Sequence, residues 1–61
     1  MRKQTREDLQ KIQIEEDMLK GNINRMCVTD DLDELESMAE YAIDRIKKIW
    51  RINYERLTEN E

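Results

Sequence analysis

The sequence predicts an all-α protein: a helical hairpin with a long C-terminal helix, dimerising into an antiparallel four-helix bundle. Three observations predict it. The chain holds no proline and a single glycine, so almost nothing interrupts a helix. Its apolar residues recur at spacings of three and four along two segments. Finally, 61 residues with 38% apolar content are too few to close a substantial core alone. Small scaffolds gain stability from disulfides, a metal or association. Cys27 is the one cysteine and histidine is absent from the sequence, which leaves association.

The second helix is the stronger element, expected over about residues 29–58. Thr29 or Asp30 is placed to cap its start, a side-chain oxygen accepting from first-turn amides. With Asp30 as the cap, Asp33 takes the capping-box position. Leu32, Leu35, Ala39, Ala42, Ile46 and Ile49 then form a heptad seam. Ile43, Trp50, Tyr54 and Leu57 widen it into the stripe of a bundle helix. Asn53 falls on the seam, where it is expected to pair with its symmetry mate or another polar group and set register. A rod of roughly 43 Å, at 1.5 Å per residue, needs a neighbour along its length. The expected dimer or partner interface is therefore Leu32, Leu35, Ala39, Ala42, Ile43, Ile46, Ile49, Trp50, Asn53 and Leu57.

The first helix is expected over about residues 5–20, within a single hairpin domain spanning 1–61. Leu9, Ile12, Leu19, Ile23 and Met26 keep the same spacing, with Glu16 in the missing seam position. Ile14 and Met18 fall on another face, which suggests more than one neighbour. Lys20-Gly21 reads as a helix stop, favouring a break there and a turn over about 21–28. The alternative is one helix running on to Met26 or Cys27, since the seam continues through Ile23. Cys27 is expected to be a small buried turn residue.

Charge is strongly patterned. From Val28 to Asp44 the charged residues are all acidic: Asp30, Asp31, Asp33, Glu34, Glu36, Glu40 and Asp44. From Arg45 to Arg56 the bases Arg45, Lys47, Lys48, Arg51 and Arg56 face one acid, Glu55. The first helix runs the other way, from Arg2, Lys3 and Arg6 to Glu15, Glu16 and Asp17. Folded back, the hairpin is acidic at its turn and basic at its open end. Two such hairpins attract when antiparallel, which points to a homodimer with two-fold symmetry. Exposed pairs of this kind orient more than they bind. Dipole matching explains the second helix equally well, but not the bases that start the first.

Little in the sequence supports chemistry. Without histidine, Ser-His-Asp and Cys-His mechanisms are excluded, and two helices offer no deep pocket. An EF-hand fails for want of its central glycine and spaced oxygen ligands. No cofactor is expected. Lys47, Lys48 and Arg51, interleaved with Trp50 and Tyr54, are candidate contacts for nucleic acid or another anion. The net charge of −4 opposes strong nucleic-acid affinity. The bland reading is that the aromatics belong to an interface and the lysines to its solvated edge. The acidic run Asp30 to Glu40 admits phosphate mimicry, against the plainer reading of a dipole-matched solvated face. The start of the chain lacks a signal-like apolar run, and no stretch approaches the ~20 apolar residues of a membrane span. A cytoplasmic protein without membrane contact is therefore expected.

In size and expected topology the chain resembles the Rop-like helical-hairpin regulators, which dimerise into four-helix bundles. The stretches Met26-Cys-Val-Thr-Asp-Asp-Leu-Asp-Glu-Leu and Tyr41-Ala-Ile-Asp-Arg are similar to short accessory proteins of phages and mobile elements. These resemblances imply a regulator or inhibitor of a partner protein. The expectation is thus a non-enzymatic interaction protein. The alternatives are a nucleic-acid-binding regulator using Arg2, Lys3, Arg6, Lys47, Lys48 and Arg51, and a structural subunit of a larger assembly.

Overall fold

The computed structural model describes residues 2–59, and two helices account for nearly all of them. These are α1 (Arg6–Val28) and α2 (Leu32–Thr58), antiparallel across a three-residue turn. The hairpin measures 49 × 17 × 10 Å. Its smallest dimension is the width of one helix, so the two helices form a single layer.

Local chemistry sets each helix boundary. Thr5 caps α1: its hydroxyl accepts from the Asp8 N–H, and the Asp8 carboxylate accepts from the Thr5 N–H, both at 3.1 Å. This is a complete capping box. Asp31, rather than Thr29 or Asp30, caps α2, accepting from the amides of Asp33 at 2.9 Å and Glu34 at 3.4 Å. Thr29 is occupied otherwise. Its N–H donates to the Arg25 carbonyl to close α1, and its hydroxyl accepts from the Asp31 N–H. One residue finishes the first helix while shaping the start of the next.

The break expected at Gly21 does not occur. A glycine stop needs the left-handed conformation, and no described residue has positive φ. Gly21 lies inside α1, while Leu19, Asn22 and Met26 on either side of it continue the contact face. That contact outweighs glycine's roughly 1 kcal/mol helix penalty. The turn therefore covers 29–31, not 21–28. Cys27 sits in the last turn of α1 and is exposed, contrary to the expected buried turn residue. A Cβ at Gly21 would meet no atom within 4 Å. Gly21→Ala should accordingly stabilise the protein by about 0.5–1 kcal/mol. A thermal midpoint that fails to rise would contradict an uninterrupted α1.

The contact between the helices is a seam of alternating character. On α1 it comprises Asp8, Ile12, Glu15, Leu19, Asn22 and Met26, a strict alternation of four and three. Every second position is polar. On α2 it comprises Met38, Ala42, Arg45, Ile49 and Arg56. Asn22 donates to the Met38 sulfur at 3.7 Å, and Arg45 lies 3.6 Å from Glu15. Continuing that register sets Leu19 against Ala42 and Ile12 against Ile49. Ala42 is the one buried apolar side chain among the described residues.

Candidate interaction surface

A second apolar stripe on α2 remains uncovered. Ala39, Ile43, Ile46, Trp50 and Leu57 each directly follow a seam residue, namely Met38, Ala42, Arg45, Ile49 and Arg56. One residue is about 100° of helix rotation, so the stripe lies roughly a quarter turn from α1. Ile43, Ile46 and Trp50 are half or more exposed, Trp50 at 59%. Leu57 is close to half exposed, and Leu35 flanks the stripe near the turn. Leu32 opens the helix at 80% exposure. Trp50 stacks on Tyr54 with ring centroids 4.7 Å apart. That places the largest aromatic surface near the open end.

The interface residues expected from the sequence thus divide in two. Ala42 and Ile49 lie in the seam with α1, while Leu32, Leu35, Ile43, Ile46, Trp50 and Leu57 are exposed. Ala39 is half-buried between the two sets. Asn53 finds its partners at home: its amide donates to the Ile49 carbonyl and its oxygen accepts from Arg56. Of the α1 seam expected from the sequence, Leu9 and Ile23 are exposed on the flank that runs with the α2 stripe. Ile14 and Met18 fall on the opposite flank. There Ile14 and Ile52 floor a shallow groove edged by Lys11, Lys48 and Arg51. Ile52 is half-buried.

The polar seam positions are the contact residues that apolar periodicity misses. Glu15 faces Arg45 at 3.6 Å and Lys48 at 4.0 Å, with its side chain only 16% exposed. Neither Glu15 Oε2 nor Arg45 Nε has a hydrogen-bond partner. This ion pair is close but poorly aligned. At the turn end Arg25 pairs with Glu34. At the open end Arg2 donates its backbone N–H to the Arg56 carbonyl at 2.7 Å. Its guanidinium bonds Asp8 at 2.6 Å and Glu59 at 2.8 Å. The bases that begin the chain therefore do not simply repel α2, because Arg2 ties the end of α2 to the start of α1. Of the expected basic set, Lys47, Lys48 and Arg51 line one surface concavity with Arg45 and Asp44, while Arg2 turns to Asp8 and Glu59. Lys48 lies beside Glu15, and Arg6 is nine residues nearer the open end, about 14 Å along the axis.

Asp8 carries the main electrostatic consequence. The Arg2 hydrogen bond, then the Thr5 amide, hold its carboxyl down to about 2. A depressed folded pKa stabilises the fold above the unfolded value, near 3.8, and that contribution is lost as pH falls toward 2. Asp8→Asn should remove this part of the acid sensitivity. In melts between pH 5 and pH 2, the variant should lose less stability than the parent. Equal loss would place the acid sensitivity elsewhere.

The single-layer hairpin exposes more surface than a compact monomer of its mass. The chain exposes 5087 Å². A compact folded monomer of its 7.5 kDa mass exposes about 4,200 Å². The excess resembles the roughly 800 Å² that each side of a standard protein interface covers. Among the described residues no three thiols or carboxylates gather as a metal site, and no helix is long and apolar enough to cross a membrane. No protein family, characterised protein or solved structure matches this chain.

Proposed function

We propose that this is a non-enzymatic regulatory or inhibitory protein acting by helix-mediated protein–protein binding, and that it self-associates as an antiparallel four-helix-bundle dimer. The uncovered α2 stripe carries the reading. A hairpin with one buried apolar side chain among its described residues cannot offset its chain entropy alone, yet it presents Ile43, Ile46, Trp50 and Leu57 in line. The free, exposed Cys27 thiol suits a reducing cytoplasm. Sedimentation across a concentration series tests the dimer. A helical, cooperatively melting monomer at micromolar concentration would refute self-association.

The nucleic-acid reading draws on Tyr41, Arg45, Lys47, Lys48 and Arg51, which line one surface concavity. Asp44 lies in the same concavity, and Glu15 engages both Arg45 and Lys48, which lowers its net positive field. Binding to a DNA or RNA oligomer should then be weak even at low salt and insensitive to Lys47→Glu/Lys48→Glu. Tight, steeply salt-dependent binding that this variant abolishes would reverse the preference.

A further inference from the structure

We infer that the α2 stripe is covered by a second copy in one register: a two-fold axis crosses α2 between Asp44 and Arg45, with α2 on α2 and α1 on α1. The inference rests on the self-association proposed above and specifies its geometry. In antiparallel helices whose stripes meet, an axis at that point brings Ile43 against the partner's Ile46. It also brings Ala39 against the partner's Trp50 and Leu32 against the partner's Leu57. The smallest stripe residue thereby receives the largest, and the most exposed leucine gains an apolar neighbour. Glu36 meets the partner's Asn53. At the outer edge Glu40 approaches the partner's Lys47, so the acid-to-base change along α2 becomes complementary.

The same axis makes an independent match on α1. Opposite the midpoint of α2, by the register that pairs Glu15 with Arg45, lies Glu16. An axis there sets Leu9 against the partner's Ile23, the two exposed apolar residues on that flank of α1. One operation thus covers apolar residues on both helices, and the excess exposed area supplies an interface of ordinary size. It also brings the two Glu16 side chains together at the axis, where like charges oppose association.

Paired cysteines test the register in a Cys27→Ser background. Mixing the Ala39→Cys and Trp50→Cys proteins under mild oxidation should give a cross-linked heterodimer, and neither protein alone should cross-link. Separation between like positions is then about 16 Å along the axis. Cross-linking of Ala39→Cys with itself would overturn the register. Because Trp50→Cys removes a large contact, Leu9→Cys mixed with Ile23→Cys provides a second pair with the same expectation. Glu16→Leu should tighten the dimer at least tenfold in sedimentation, and no tightening would displace Glu16 from the axis. A parent protein that dimerises but fails these tests loses only the register. A parent that stays monomeric loses the self-association beneath it.

Discussion

Ile46→Glu is expected to abolish association and, with it, most of the helical signal at micromolar concentration. Ile46 is 54% exposed in the hairpin and central in the α2 stripe. Burying the exposed half of an isoleucine contributes about 0.8–1.5 kcal/mol, half the value for full burial. A two-fold interface loses that twice, and glutamate adds the cost of desolvating a charge. The combined effect corresponds to roughly a hundredfold to ten-thousandfold weaker dimer. Tyr41→Glu, half exposed and off the stripe, is the control and should leave sedimentation and circular dichroism near parental. An Ile46→Glu protein that remains a folded dimer would remove the stripe from the interface.

The second large effect is a reversal of sign at the Glu15–Arg45 layer. Arg45→Leu strands Glu15, mostly buried, with only Lys48 at 4.0 Å. A loss of about 1–3 kcal/mol is expected, the range for a partly buried charge deprived of its partner. Glu15→Leu/Arg45→Leu should instead equal or exceed the parent by about 1 kcal/mol or more, because leucine joins the Ile12 and Leu19 layers without desolvating ions. The unpartnered Glu15 Oε2 and Arg45 Nε are the reason: the pair incurs desolvation without full hydrogen bonding. Urea denaturation of both single variants and the double closes the cycle. A double variant less stable than Arg45→Leu would mean the ion pair stabilises the hairpin outright.

The helical hairpin was legible because its causes are local. Few breakers, apolar periodicity and an acidic second-helix start all act within a few residues. The boundaries were less so. Thr29 looks like an N-cap in isolation, yet it closes α1, and only the spacing of a three-residue turn decides the matter. Gly21 carries a genuine local stop signal, which long-range contact overrides. The α1 seam was the instructive miss. Apolar periodicity selects Leu9, Glu16 and Ile23, whereas the contact uses Asp8, Glu15 and Asn22, one residue earlier in each case. Those polar positions follow the heptad as strictly as the apolar ones. Their signal becomes readable only once their partners Arg2, Arg45 and Met38 are in place. The α2 stripe was visible as a whole, but its division into a seam facing α1 and a free face required the hairpin itself.

The place of Trp50 makes the molecule its own optical gauge. It is the sole tryptophan, so the red edge of ultraviolet absorption excites one indole at one known location. On the bare hairpin that indole is largely wetted and stacked on Tyr54. Its emission should therefore lie far to the red and be readily quenched by iodide. Anything that covers the free face of α2 moves the emission to the blue and shields it from quencher. The occupancy of the surface can thus be followed by titration, with no label attached.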